Sequence, residues 1–220
     1  MTAVLISAFN AAETLGALLE QLSRAGRFDH IVVVDDGSID TTAAVARNAG
    51  VCLLRHERNR GKGAALRTGF EYVVSSTEAT DVVTLDSDLQ HDPSTIPAFL
   101  EARQRSGADI VVGVRKRFGS GMPLNRVFSN AVTSALVSAR TGVSIADSQS
   151  GFRLISRQVL KAITLEQDGF EAETELLIKA SRRGFTIYGI PIATIYRGGK
   201  SHMTHVATTV GFLKTLLREY

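Results

Sequence analysis

The chain has 220 residues, 44% of them apolar and 21% charged, with four prolines, one cysteine and a net charge of +3. This supports one folded domain with a substantial core and excludes a disulfide framework. It also argues against a membrane-crossing helix, because no run of about 18 apolar residues exists. The mild basic balance suits phosphorylated ligands or an anionic membrane surface. No dense Lys/Arg stripe with interleaved aromatics calls for nucleic acid, so none is expected as a partner.

The N-terminus runs straight into an apolar stretch without a basic leader, so no signal peptide is expected. Cys52 lies in the apolar run VCLL, where a buried thiol in a reducing compartment is the simplest reading.

Strand and helix patterns alternate through the first half, which predicts an α/β layer structure. Ala3 to Ala8 reads as a buried strand. Asn10 is placed to cap the next helix, with Glu13 three residues on and Leu15, Leu18, Leu19 and Leu22 on one face. A second strand, Ile31 to Val34, runs into Asp35-Asp36-Gly37-Ser38. Asp40 is then placed to cap a helix from Thr41 to Asn48, which Gly50 closes. Val51 to Leu54 is the third strand. It precedes HERNRGKG and a helix with Ala65, Leu66, Gly69, Phe70 and Val73 inward.

The fourth strand, Val82 to Leu85, ends in Asp86-Ser87-Asp88, a D-x-D motif, with Gln90, His91 and Asp92 behind it. Residues i and i+2 of an extended segment point to one side, so the two carboxylates converge. A hard divalent cation relieves their repulsion and keeps sites open for a phosphate. Asp92-Pro93 also makes a good helix cap and first turn. Ile96 to Arg103 is helical, and a fifth strand, Asp109 to Val114, ends in Arg115-Lys116-Arg117.

FGSGMP, 118 to 123, reads as a flexible joint. Beyond it, Leu124 to Thr141 is a helix carrying Arg126 and Asn130 one turn apart. The polar loop ADSQSG leads into a short strand, and GFEAETELLIKASRRG is a helix rich in acids at its start. Thr186 to Tyr196 is strand-like, with Pro191 marking an edge or a break. Val206 to Leu217 places Val206, Val210, Leu213 and Leu217 on one helical face. That face is expected to dock on the domain, although Lys200, Lys214 and Arg218 also suit a membrane surface.

Three polar clusters, at 35 to 38, 59 to 63 and 86 to 92, follow strands, where open α/β sheets collect their ligands. A carboxylate such as Asp35 accepts from the imide N–H of uracil or from the N1–H and amino group of guanine. Arg60-Gly61-Lys62-Gly63 opens a helix and favours phosphate through backbone N–H groups. It is not a Walker A loop, and the first strand is not followed by G-x-G-x-x-G. No nucleophile elbow is present, and the five histidines lack zinc-ligand spacing.

Taken in order, SAFNAAETL, VVVDDGSIDTT, NRGKGAALRTGF, VVTLDSDLQHDP, GVRKR, DSQSGFRLISR and YRGGKSH resemble the family 2 glycosyltransferases, and among them the dolichyl- or polyprenyl-phosphate sugar synthases. The resemblance implies a GT-A fold, a mostly parallel sheet flanked by helices, as one catalytic domain over residues 1–220. Residues 1–117 would bind the nucleotide-sugar and 118–204 the acceptor, with an amphipathic helix at 205–220. It implies an inverting transfer of a hexose from a UDP- or GDP-sugar to a polyprenyl or dolichyl phosphate, dependent on Mg²⁺ or Mn²⁺.

Carried over by position, the donor would meet Ala8, Phe9, Asp35, Lys62, Asp86, Ser87, Asp88, Arg115, Arg197 and His202. Asp88 and Gln90, with Asp86 nearby, match metal ligands. Arg126, Asn130 and Ser150 fall on the acceptor side, and Asp88, Asp147 and Arg126 would serve the reaction. The implied location is the cytoplasmic face of a membrane, with a peripheral attachment or a membrane-anchoring partner.

The chain departs from the family pattern at Ser7-Ala8-Phe9-Asn10-Ala11, where Pro-x-Tyr-Asn-Glu is usual, and at Ser201-His202, where Ser-Lys is usual. Three alternatives stand beside this expectation: transfer to a soluble or glycan hydroxyl, with Asp147 as the base; a sugar-nucleotide pyrophosphorylase; and a non-catalytic nucleotide-binding module.

Overall fold

A computed structural model of the chain describes residues 1–116, 124–195, 211–212, 214–218 and 220, except the side chains of 124–126. The first five strands are β1 (Thr2–Ala8), β2 (His30–Asp35), β3 (Cys52–Arg55), β4 (Asp81–Asp86) and β5 (Ile110–Arg115). Between them run α1 (Ala12–Ala25), α2 (Thr42–Asn48), α3 (Lys62–Ser76) and α4 (Ile96–Ser106), the last preceded by a 3₁₀ turn at Pro93–Thr95. There follow α5 (Leu124–Thr141), β6 (Arg153–Ser156), α6 (Arg157–Ala162), α7 (Ala172–Arg182) and β7 (Ile187–Ile192).

The strands form a seven-stranded sheet in the order β3-β2-β1-β4-β6-β5-β7. All neighbours are parallel except β6, which lies antiparallel between β4 and β5. Alternate residues of a strand face opposite sides, and a sheet covered on both faces needs apolar residues at both parities. Ala3 and Leu5 accordingly join Val32, Val34, Phe70 and Leu177 in one core layer. Val4 and Ile6 join Leu15, Leu18, Val33 and Phe99 in the other.

Some expected caps hold. Asp92 accepts from Ser94 N, and Gly50 is left-handed at φ 69°; α2, however, has Thr41 rather than Asp40 at its N-cap, and Asp40 accepts from Thr42 N at 2.9 Å from one residue before it. Asp40 also accepts from Ala12 N at 3.1 Å and so ties α1 to α2. Asn10 is a correction. It sits at φ 49° and makes no side-chain cap on α1; its Oδ1 accepts from Ile39 N at 3.0 Å instead. β7 runs through Pro191 at the sheet edge, where the missing N–H breaks no ladder.

The described C-terminal helical residues dock on the domain, but not through Leu217, the one residue of the expected face among them. Phe212 and Leu216 are buried, whereas Leu217 is 78% exposed. Val206, Val210 and Leu213 lie outside the described residues, as does the joint at 118–123. Among the described residues, no helix is long and apolar enough to cross a membrane.

Candidate functional site

β1 lies between β2 and β4, so its C-terminal end opens a crevice where the chain leaves the sheet in both directions. The register sets Ala8 opposite Asp35 and Ser7 opposite Asp86. With strands about 4.8 Å apart, the two carboxylate-bearing strand ends stand about 10 Å from each other. This spacing suits a ligand with one polar group at each end.

At the β2 end, Asp35 is fully buried. Its Oδ1 accepts from Ser38 N at 2.9 Å. Arg55, its register partner on β3, brings Nε to 3.1 Å from Oδ2 as an ion pair but off the line of a hydrogen bond, so Oδ2 has no hydrogen-bond partner.

Asp36 has a different task. It accepts from His56 Nδ1 at 2.6 Å, Arg60 N at 3.0 Å and Gly61 N at 2.8 Å. His56 Nε2 in turn meets Thr68 Oγ1 at 2.9 Å. These bonds engage N–H groups that the Arg60-Gly61-Lys62-Gly63 sequence was expected to offer to phosphate. Those of Gly63 and Ala64 donate to the carbonyl of Asp168 at 2.7 and 3.2 Å. The phosphate-cradle expectation is therefore corrected: Asp36 and the 167–169 segment fill that place from within the protein.

At the β4 end, Lys62 Nζ bridges the carboxylates of Asp86 and Glu173, the latter at 2.8 Å. Burial opposes the charge on Lys62, but the two carboxylates outweigh it and hold the ammonium well above its usual range. Burial likewise opposes the charge on Asp86, yet Lys62 and its neighbours bring that carboxyl down to about 2. Gly151 leaves room for this group, since a Cβ there would stand 2.6 Å from Asp86 Oδ2. His91 lies beneath, with Nδ1 3.4 Å from Asp86 N. Burial lowers its pKa to about 4, so the ring is neutral at pH 7.

Asp88 lies at the rim. Its carboxylate accepts from Gln90 N at 3.0 Å and Gln90 Nε2 at 2.7 Å. Desolvation of its inward flank and the charge of Asp86 push its carboxyl up. No cluster of three metal-ligating acids, histidines or cysteines is assembled among the described residues. The donor set still fits a hard cation. Asp88 is an anion destabilised by a second anion, Gln90 is beside it, and Mg²⁺-type sites take one or two carboxylates plus ligand phosphates.

On the third side, Arg115 grips Asp147 with Nε at 2.8 Å and Nη2 at 3.0 Å. Burial would raise the Asp147 carboxyl, but this pairing outweighs it and holds the group below the usual carboxylate range. An open groove of about 470 Å³ starts at Arg115 and is lined by Val114, Ala131, Ala135, Ile145 and Ala146, with Ser134 and Ser138. Along α5, Phe128, Val132 and Leu136 recur every four residues and are exposed.

The loop holding Asp147 is fixed by Arg153, a 1% exposed residue on β6. Its guanidinium donates to the carbonyls of Ser148 at 2.9 Å, Ser150 at 2.8 Å and Glu173 at 2.6 Å.

The crevice thus brings together Ala8, Asp35, Lys62, Asp86, Asp88, Gln90, Arg115 and Asp147, with Phe9 and Ser87 half-buried beside them. Ser150 is fully buried with an unpaired hydroxyl, and Asn130 is half-buried on α5. Arg197, His202 and the Arg126 side chain lie outside the described residues. Arg55, His56, Arg153 and Glu173 were not singled out from sequence. Arg153 did carry a signal, as a charged residue in the apolar run Phe152 to Ile155, whereas Glu173 is one of three acids at the start of α7 and is not set apart from its neighbours.

Residues 3–164 match the model of a protein family described as "Glycosyl transferase family 2". A dolichyl-phosphate hexose transferase of Haloferax volcanii is 31% identical, over 98% of this chain and 92% of the relative. A UDP-N-acetylglucosamine–dolichyl-phosphate N-acetylglucosaminyltransferase of Methanococcus voltae is 30% identical, over 88% and 85%. Among solved structures, glucosyl-3-phosphoglycerate synthase of Mycobacterium tuberculosis with Mg²⁺ and UDP superposes with a TM-score of 0.81. That match has 22% identity and covers 99% of this chain and 78% of the other.

Proposed function

The chain belongs to glycosyltransferase family 2 and has its GT-A fold, and we propose that it transfers a hexose from a nucleotide-sugar to a polyprenyl or dolichyl phosphate. The observation that carries this reading is the state of Asp147. A hydroxyl acceptor needs a base, and Asp147 is the acid on the acceptor side. Bound through both oxygens to Arg115 with a lowered pKa, it is a poor proton acceptor. A lipid phosphate is already anionic and needs no base. The apolar groove that begins at Arg115 suits an acceptor with a charged head and a hydrocarbon tail. The names of the two relatives point to the same acceptor class.

In this reading a phosphate oxygen attacks the anomeric carbon, the bond to the leaving nucleoside diphosphate breaks, and the sugar inverts. The protein's work is positioning and charge stabilisation. Asp35 faces the base, while Asp86 is held at the ribose and diphosphate end by Lys62. Asp88 with Gln90 would hold Mg²⁺ or Mn²⁺, which supplies Lewis-acid stabilisation of the leaving diphosphate. Arg115, oriented by Asp147, adds positive charge at the donor diphosphate, while Arg126, Asn130 and Ser150 are assigned to the acceptor side. Arg197 and His202 are assigned to the donor diphosphate. The enzyme would work as a peripheral protein on the cytoplasmic face of a membrane, with the exposed Phe128, Val132 and Leu136 of α5 turned to the lipid.

The test is a panel of UDP- and GDP-sugars with polyprenyl phosphate and with soluble hydroxyl acceptors, scored for lipid-linked sugar. Asp147→Asn should retain lipid transfer within about tenfold, since a lost base typically costs 10²–10⁴. Transfer only to hydroxyl acceptors, abolished by Asp147→Asn, would overturn the reading. Release of nucleoside triphosphate only with pyrophosphate would indicate a pyrophosphorylase instead.

A further inference from the structure

We propose that Arg55, together with Asp35, makes the donor site selective for a base with an imide edge, uracil or thymine, and against guanine. This rests on the reading of the crevice as a nucleotide-sugar site. The inference follows from which acceptors remain at the end of β2. Asp35 Oδ1 already accepts from Ser38 N at 2.9 Å, and the Ser38 carbonyl already accepts from Arg55 Nη2 at 3.0 Å. What remains is Asp35 Oδ2, fully buried and without a hydrogen bond, with Arg55 Nε 3.1 Å away. A buried carboxylate oxygen held by an ion pair alone still lacks a hydrogen-bond donor, and a ligand N–H would supply it beside a guanidinium with donors of its own.

The hydrogen-bonding edges of the bases sort themselves against that pattern. Uracil and thymine present one N–H between two carbonyls: the N–H suits Oδ2, and a flanking carbonyl suits the guanidinium. Guanine presents an N–H and an amino group side by side, and the second donor must compete with the cationic Arg55, which already donates to the Ser38 carbonyl and pairs with Asp35 Oδ2. Cytosine and adenine place a ring nitrogen acceptor at the centre of the edge, against the carboxylate. The Arg55 side chain is 47% exposed on an edge strand, so it is free to shift as the base enters.

Calorimetric binding of UDP, dTDP, GDP and N3-methyl-UDP in the presence of Mg²⁺ tests the proposal on the intact protein and on Arg55→Ala. Circular dichroism confirms that the variant is folded. UDP, dTDP or both should bind at least about tenfold more tightly than GDP and N3-methyl-UDP, the loss expected for a buried donor or acceptor left unpaired. The dTDP arm distinguishes thymidine from uridine donors. Arg55→Ala should weaken UDP and shrink the UDP-to-GDP ratio at least about threefold, because the freed acceptors then take the guanine amino group. GDP binding as tightly as UDP, undiminished binding of N3-methyl-UDP, or an unchanged ratio in Arg55→Ala would each overturn it. Lipid transfer from GDP-sugars alone defeats this inference and leaves the transferase reading intact. UDP preference without any lipid-linked product does the reverse, and failure of every nucleotide to bind defeats both.

Discussion

Replacing Arg153 by methionine removes the residue that joins the Asp147 loop to α7. Three carbonyls, of Ser148, Ser150 and Glu173, lose their charged donor. The carbonyls of Ser148 and Ser150 are left unpaired at about 1–3 kcal/mol each, and that of Glu173, which keeps its helical partner within α7, loses about 1 kcal/mol, so the three together cost about 5 kcal/mol. Against this, removing a fully buried guanidinium relieves its desolvation, which already lowers its pKa. That relief offsets about 2 kcal/mol. The net loss is about 3 kcal/mol, equivalent to a fall in Tm of about 6–12 °C for a domain of this size. Thermal unfolding followed by circular dichroism measures it, with urea unfolding at constant m as a check. Arg153→Lys keeps the charge but not the planar fork that reaches three acceptors, and should recover less than half of the loss. A Tm within about 2 °C of the parent for Arg153→Met would refute the reasoning, because it would mean that other donors satisfy the loop.

Gly63→Ala would place a Cβ 2.2 Å from the Gln167 carbonyl and 2.6 Å from the Ala172 Cβ, so it should cost about 3 kcal/mol in urea unfolding. Asp88→Ala should abolish sugar transfer without lowering Tm by more than about 2 °C; retained transfer would remove the metal assignment. Asp147 has a lowered folded pKa, so its contribution to stability is complete above the unfolded value of about 3.9 and is lost as pH falls through the folded one. Asp147→Asn should therefore flatten the acid limb of the stability profile below about pH 4, and an unchanged limb would contradict the pairing with Arg115. Leu216→Asp should destabilise by at least about 2 kcal/mol and Leu217→Asp by less than about 0.5, which distinguishes the docked face of the last helical residues from the exposed one.

The sheet and its order of strands and helices were readable because each strand is a short apolar run ended by turn chemistry, as in Val82 to Asp86. The antiparallel placement of β6 was not. Four residues, Arg153 to Ser156, carry no sign of direction, and that direction is set by pairing with Val82–Thr84 and Ile110–Val112 across long loops. The terminal helix shows a related limit. A pattern of Val206, Val210, Leu213 and Leu217 identifies an apolar face, yet among the described residues Phe212 and Leu216 meet the core and Leu217 does not. Periodicity reports that a face is buried, and the partner decides its phase.

The glycine-rich loop is where local chemistry misled, and the reason bears on how this site was assembled. Free N–H groups at a helix start are equally good for a phosphate and for any acceptor the fold brings there. Asp168 is about a hundred positions downstream of Gly63, and only the packing of α7 against α3 reveals that its carbonyl occupies the place. Lys62 pairs with Asp86 and Glu173. The Asp86-Ser87-Asp88 stretch, legible as a convergent acidic pair, therefore works as two unlike carboxylates. Asp86 is neutralised by a lysine of the protein and held low, and Asp88 is pushed up at the rim. The asymmetry built through Lys62 and Glu173 singles out Asp88, which in the proposed reading would take the cation together with oxygens of an arriving diphosphate.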